Sequence, residues 1–142
     1  MALGLVSDMV DIREIETSYI ISKGFREENI RNPYIVGMFE KNSFSLKGKI
    51  TPIGCAFYIT PFINAVMRSG TMKEKELLFN SMLEHKADTK ILSNKRGHKE
   101  GEMETILAQT LRMCTNVKNR QKNTEEEGIK FLEEQLKNNN LL

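Results

Sequence analysis

The sequence predicts a mostly α-helical fold in which a cluster of short helices is followed by one long connecting helix. Three residue pairs, Asn32-Pro33, Thr51-Pro52 and Thr60-Pro61, each combine a helix N-cap residue with a first-turn proline. Apolar residues after position 102 recur at steps of three and four, which is the spacing of one helix face. The chain shows no internal repeat and no convincing strand alternation.

The first third of the chain divides into short helices. Residues 12–23 carry apolar side chains at helical spacing, and Gly24 is placed to end that helix in the left-handed conformation. Asn32 and Pro33 start a further short helix that runs through Met38.

The two Thr-Pro pairs predict two short helices that meet at a bend, Ile53–Ile59 and Phe62–Arg68. Gly70 ends the second of them, and Lys73–His85 forms a further amphipathic helix. Residues 86–101 are polar, lack periodicity and contain two glycines, which predicts an exposed loop or an insertion.

The longest predicted element runs from Glu102 to about Lys137. Its apolar stripe consists of Met103, Ile106, Leu107, Leu111, Cys114 and Val117, and it resumes at Ile129, Leu132 and Leu136. At about 1.5 Å per residue such a helix is roughly 50 Å long, more than a compact domain of this size covers on one face. We expect it to bend or leave the core at residues 118–128, and its uncovered stripe predicts self-association of the isolated chain.

Composition and charge are those of an ordinary folded protein. Of the 142 residues, 39% are hydrophobic and 28% charged, which suffices for one domain with a modest core. The net charge of +2 indicates neither nucleic-acid nor membrane binding by an overall field. Basic residues are concentrated in 90–99 and 118–122. Each segment can contact phosphate groups, although such a basic run more commonly forms a solvated loop or helix face.

The cysteines and the apolar runs indicate a reducing, cytoplasmic setting without membrane contact. Cys55 and Cys114 lie far apart, without CxxC spacing, and predict packed thiols. No apolar run approaches the roughly 20 residues that span a bilayer. The apolar start at Ala2–Val10 and the end on two leucines are unusual for natural termini, so we expect an interior section of a larger protein.

Few residues are arranged for chemistry. His85 and His98 have no partner at ligand spacing, and the sequence contains no P-loop, zinc knuckle or nucleophile elbow. Asp8 is different because it lies within an apolar run, where a buried carboxylate must be hydrogen-bonded, paired or bound to a cation. Asp8 is therefore a helix cap or salt-bridge partner, or else a metal ligand.

Two segments resemble motifs of one enzyme family. Residues Ala2–Val10, ALGLVSDMV, resemble the A-L-G-x-[VI]-[AS]-D-x-V motif of RecJ-like single-strand-specific exonucleases in the DHH phosphoesterase family. Residues Ile59–Arg68, ITPFINAVMR, resemble that family's L-G-P-R-[LI]-N-A-A-G-R segment, and Tyr19–Gly24 is similar to a helix between the two. The resemblance covers most of the chain and is weakest at 86–101.

The resemblance implies a place within a larger α/β enzyme. Residues 1–85 correspond to the C-terminal part of the DHH catalytic domain, 86–101 to an exposed loop or insertion, and 102–142 to a long helix that leads to a missing DHH-associated domain. Most metal ligands of the family would lie in flanking segments of the same polypeptide. We therefore expect the chain to be incomplete, inactive alone and without a catalytic residue of its own.

The resemblance also assigns three residues. Asp8 matches the aspartate that completes a Mn²⁺ or Mg²⁺ cluster, whose ions activate water. Asn64 and Arg68 match positions near the nucleic-acid path, where a guanidinium grips a phosphate of single-stranded DNA. Phe62 and Met67 replace an arginine and a glycine of the motif. These departures fit a divergent branch, such as one carried by a phage or mobile element.

The function that the resemblance implies is metal-dependent hydrolysis of single-stranded DNA by an exonuclease, from 5′ to 3′. One alternative is a non-catalytic helical interaction module, whose apolar stripe binds a partner or a second copy. Another is a DHH phosphoesterase that acts on short oligonucleotides or cyclic dinucleotides, since the residues that select substrate length lie mostly outside this chain.

Overall fold

A computed structural model describes residues 1–138, apart from the side chain at position 27. The described residues form nine α-helices, one 3-10 helix (Glu27–Asn29) and a two-stranded antiparallel sheet. The elements are α1 Ala2–Ser7, α2 Ile15–Gly24, α3 Pro33–Lys41, α4 Ser43–Leu46, α5 Pro52–Tyr58, α6 Thr60–Ser69, α7 Met72–Met82, α8 Glu84–Ala87, β1 Lys90–Leu92, β2 Met103–Thr105 and α9 Ile106–Asn138. The predicted mostly α fold that ends in a long helix is confirmed.

Two of the predicted cap residues start their helices. Asn32 Oδ1 accepts a hydrogen bond from the Ile35 amide at 3.3 Å, at the start of α3. Thr51 Oγ1 accepts one from the Gly54 amide at 3.0 Å, at the start of α5. A proline follows each cap in the first turn, where its missing N–H costs no hydrogen bond.

The third predicted cap is wrong. Ile59, the residue before α6, keeps a helical conformation with φ −118° and ψ −55°. The chain therefore passes from α5 into α6 without the extended residue that a side-chain cap requires. Thr60 lies inside α6, and its hydroxyl lies 3.1 Å from Ser7 Oγ instead.

A capping box starts α7. Thr71 Oγ1 accepts from the Glu74 amide at 3.3 Å, and the Glu74 carboxylate accepts from the Thr71 amide at 2.7 Å. The helix predicted over Lys73–His85 is divided in the structure, because Leu83 adopts an extended conformation with φ −89° and ψ 115° between α7 and α8.

Residues 86–101 are largely exposed, as expected, but they include a strand that the sequence pattern did not indicate. β1 pairs antiparallel with β2, so that Ile91 lies opposite Glu104. Strands of three residues are too short to show alternation. Gly97 and Gly101 in the connection have φ of +80° and +77°, a conformation that favours glycine.

An ion pair fastens this hairpin to α9. Arg112 donates to both carboxylate oxygens of Glu104, at 2.5 and 2.7 Å, and to Asn94 Oδ1 at 2.6 Å. The Glu104 side chain is only 13% exposed. The Arg112 hydrogen bonds lower the pKa of Glu104 to about 2.

Acid is expected to weaken this connection. A depressed carboxyl pKa stabilises the fold above the unfolded value of 4.5, and this contribution is lost as pH falls towards the folded value of about 2. Glu104→Gln should lower the free energy of unfolding by about 1–2 kcal/mol at neutral pH and by much less near the folded pKa. Urea denaturation at both pH values, with the exposed Glu100→Gln as control, measures this. Equal destabilisation at the two pH values would contradict the prediction.

The core is formed where α3, α5, α6 and α7 pack against the first turns of α9. Tyr34, Met38, Ile59, Val66 and Val117 are fully buried there. Cys55 and Cys114 also lie in this core as free thiols, as predicted, and burial raises the pKa of Cys55 to about 11. None of the helices in residues 1–138 combines the length and apolar composition that crossing a bilayer requires.

The long helix α9 leaves the core after Val117. Its buried residues are Ile106, Gln109, Thr110, Met113, Cys114 and Val117. The helix continues without a break through 118–128, including Gly128, but nearly all side chains from 119 to 138 are exposed. The predicted departure from the core is therefore confirmed. The last four residues of the predicted helical segment, 139–142, lie outside the described residues.

Candidate functional site

Asp8 lies at the exposed carboxyl end of α1. The amides of Met9 and Val10 close this helix end by bonding to the carbonyls of Val6 and Leu5, both at 3.3 Å. This pair of bonds is the Schellman arrangement, which requires a left-handed residue after the cap, and Met9 has φ +50°. The main chain thus fixes the position of Asp8.

The Asp8 carboxylate makes no hydrogen bond or ion pair with the residues that the structure describes. It lies at a helix C-terminus, which carries partial negative charge, so a carboxylate there is electrostatically unfavourable. A bound cation would offset this. However, residues 1–138 place no three His, Cys, Asp or Glu side chains together as a metal site. Asp8 therefore provides one metal ligand at most, and the described residues alone do not fit a complete metal centre.

A hydrogen bond joins the two motif segments. Ser7 directly precedes Asp8, and Thr60 is the first residue of α6. Their hydroxyl oxygens lie 3.1 Å apart in a partly buried contact. The fold thereby brings the Asp8 segment to the start of the helix that carries Asn64 and Arg68.

Beside this contact lies an open groove of about 570 Å³. Its walls are the end of α1, the α5 and α6 pair, and the part of α9 that leaves the core. Asn64 and Arg68 both line it, one helical turn apart and both exposed on α6, whereas the next two residues after Asn64, Ala65 and Val66, are buried. Ser7 and Met9, the two neighbours of Asp8, line the same groove.

Positive charge predominates in the groove. Arg68, Lys118 and Lys122 line it, against Glu125 as the one lining carboxylate among the described residues. Lys122 lies 3.6 Å from Glu126, but both side chains are more than half exposed and such pairs are weak. The basic segment 118–122, in which the sequence predicts phosphate contacts or a solvated helix face, is thus adjacent to the predicted nucleic-acid residues.

The other sequence-predicted features lie elsewhere. The basic segment 90–99 forms β1 and the turn after it, and it contributes no residue to the groove. His85 and His98 are exposed and belong to no cluster of potential metal ligands within residues 1–138. The structure therefore separates the two basic segments and leaves the histidines at the surface.

The sequence indicated neither the position of Phe57 in the groove nor the contact of Phe62 with Lys118, which is one of the lining residues. Phe57 on α5 lines the groove with its side chain 69% exposed. The Phe62 ring lies 4.3 Å from Lys118 Nζ, a cation–π contact between α6 and α9. Apolar spacing does not separate an exposed phenylalanine from a core one, and the Lys118 contact arises only when the two helices pack.

Two curated proteins are similar to most of this chain. The chain is 34% identical over 122 residues to a Bacillus subtilis (strain 168) protein provisionally named SPbeta prophage-derived single-strand DNA-specific exonuclease YorK. It has the same identity to the protein provisionally named single-strand DNA-specific exonuclease yorK of Bacillus phage SPbeta. The predicted resemblance to single-strand-specific exonucleases is confirmed.

The alignment covers 86% of this chain but 20% of each relative, so the chain spans about a fifth of the length of the curated relatives that it matches. Both relatives are proteins of the phage SPbeta or of its prophage. No family model matches the chain, and no solved structure does.

Proposed function

We propose that this chain is part of a metal-dependent exonuclease that hydrolyses single-stranded DNA, in the RecJ-like branch of the DHH phosphoesterases. The similarity to two proteins named as single-strand DNA-specific exonucleases supports the substrate. The observation that carries the proposal is the Ser7–Thr60 hydrogen bond, because it brings both motif segments to one basic groove. Digestion from the 5′ end, and the domain boundaries after residues 85 and 101, stay predictions from the resemblance.

In this proposal Asp8 is one oxygen ligand of a Mn²⁺ or Mg²⁺ ion. Its carboxylate is exposed at the end of α1, next to the groove, and has no partner among the described residues. The remaining ligands come from outside residues 1–138, since no ligating cluster exists within them. A bound ion of this kind supplies activated water and charge stabilisation for phosphodiester hydrolysis.

Arg68 and Asn64 hold the DNA backbone. A guanidinium donates two parallel hydrogen bonds to a phosphate, and the Asn64 amide one turn away supplies a further donor. Neither side chain is needed for folding, because both are exposed on α6. Arg68 forms no ion pair within the described residues that would compete with phosphate.

The Arg68 role is tested by steady-state kinetics on the polypeptide extended through its flanking coding sequence. Arg68→Ala should raise KM for single-stranded DNA roughly tenfold or more, because a charge-assisted hydrogen bond pair is lost. Arg68→Lys should recover only part of this, since lysine keeps the charge without the planar fork. Arg96→Ala in the exposed hairpin turn is the matched control. An unchanged KM for Arg68→Ala would contradict the proposed DNA contact.

A second candidate function rests on the outer part of α9. Ile129, Leu132 and Leu136 recur on one helix face, and Ile129 and Leu132 are 57% and 60% exposed. A non-catalytic interaction module would use this face to bind a second copy of the chain. Light scattering on the 142-residue chain tests it. An oligomer that Leu132→Glu converts to a monomer would support the module, whereas a monomeric wild type would contradict it.

A further inference from the structure

We infer that Phe57 and Lys118 form a base-stacking and phosphate-binding pair that makes the groove selective for single-stranded over duplex DNA. This inference rests on the proposed function, which names the substrate but assigns neither residue.

Phe57 presents an uncovered aromatic ring to a groove. Phe57 is 69% exposed near the end of α5, and it lines the groove together with the basic part of α9. Phe44 and Phe79 are exposed as well, at 96% and 63%, but neither lines this groove. Phe57 is distinguished by its position among cations, since single-strand binding sites combine a basic groove with aromatic side chains on which bases stack.

Lys118 contacts an aromatic ring and forms no ion pair with the described residues. Its Nζ lies 4.3 Å from the Phe62 ring, so the ring orients the ammonium group by a cation–π contact rather than by a carboxylate. Lys122, by contrast, has Glu126 at 3.6 Å. A cation that is oriented but not neutralised is suited to a phosphate.

Phe57 and Lys118 together indicate which ligand the groove binds. Phe57 offers a flat apolar face, and Lys118 and Arg68 offer cations within the same groove, against one carboxylate, Glu125, among the described lining residues. A nucleotide can place its base on Phe57 and its phosphates on the cations only if that base is unpaired. In a duplex the bases are stacked on each other and the ring has no base face to contact.

The test measures binding of a fluorescent oligothymidylate, and of a duplex of equal length, to the 142-residue chain without divalent metal. Fluorescence anisotropy is recorded over a series of salt concentrations. The variants are Phe57→Ala, Phe57→Leu, Phe57→Trp and Lys118→Gln, and the matched controls are Phe79→Ala and Lys130→Gln. Thermal unfolding by circular dichroism confirms that each variant is folded.

We expect Phe57→Ala to weaken binding of the single strand by roughly fivefold to a hundredfold, which corresponds to the loss of one stacked base. Phe57→Leu should be equally weak because it keeps apolar area but no aromatic face, and Phe57→Trp should bind at least as well as wild type. Lys118→Gln should reduce the slope of log Kd against log salt by about 0.7, the value for one phosphate contact on a single strand. Phe57→Ala should leave that slope unchanged.

The inference would be overturned if Phe57→Leu bound the single strand as tightly as wild type, or if Lys118→Gln left the slope of log Kd against log salt unchanged. It would also be overturned if the wild-type chain bound duplex and single strand equally, or bound no single strand at all. The proposed function fails separately. If the wild type binds as expected but the extended polypeptide hydrolyses nothing with Mn²⁺, the single-strand-binding role of the groove is supported and the proposed exonuclease function is contradicted.

Discussion

Asp8→Ala is expected to reduce kcat/KM for hydrolysis of single-stranded DNA by at least roughly a hundredfold, since even outer partners of metal ligands cost about 10–100-fold when removed. The same change should leave the free energy of unfolding within about 0.5 kcal/mol of wild type. The physical reason is that the Asp8 side chain is exposed and contacts no partner among the described residues, so the fold does not depend on it.

The measurement combines the nuclease assay on the extended polypeptide with urea denaturation of the 142-residue chain. Asp88→Ala is the matched control, since Asp88 is also an exposed aspartate at a helix end, outside the groove. Activity that survives Asp8→Ala would contradict the metal-ligand role. A large loss of stability would instead favour the helix-cap or salt-bridge role that the sequence left open.

Tyr34→Ala is expected to have the largest effect on stability, a loss of about 3–5 kcal/mol. Tyr34 is fully buried between α3 and the core face of α9, and its hydroxyl lies 3.6 Å from Cys114 Sγ. Truncation leaves a cavity that the packed helices cannot close. Because small domains are stable by about 5–15 kcal/mol in total, this change should bring the chain close to unfolding.

Urea denaturation with two further variants separates the contributions to this loss. Tyr34→Phe keeps the ring and removes only the hydroxyl contact, so it should cost about 1 kcal/mol. Tyr19→Ala removes a tyrosine that is 60% exposed and should cost less than about 1 kcal/mol. If Tyr34→Ala were no more destabilising than Tyr19→Ala, the position of the core between α3 and α9 would be wrong.

Local signals predicted much of the fold. Asn32 and Thr51 start helices because a side-chain oxygen and a following proline act within one turn, independently of the rest of the chain. Thr60 is also followed by a proline but does not cap its helix, because the preceding residue stays helical and the Thr60 hydroxyl hydrogen-bonds with that of Ser7. The hairpin was missed since its strands have three residues each, and its Glu104–Arg112 pair depends on packing against α9.

The candidate site was predictable only in part. The spacing of Asn64 and Arg68 places them on one face of a helix from sequence alone, and the motifs select Asp8. The groove itself arises when α6 packs on α9, which brings Lys118 over Phe62, and when Phe57 of α5 lines the same groove as the cations. No local pattern encodes contacts between residues more than 50 positions apart.

The most direct test of the proposed function is release of nucleotides from 5′-labelled single-stranded DNA in Mn²⁺, measured for the 142-residue chain and for the polypeptide extended through its flanking coding sequence. We predict hydrolysis by the extended polypeptide, with single-stranded DNA preferred over duplex, and none by the 142-residue chain. Hydrolysis by the 142-residue chain would show that the metal ligands have been placed in the wrong residues, and hydrolysis by neither polypeptide would contradict the exonuclease assignment.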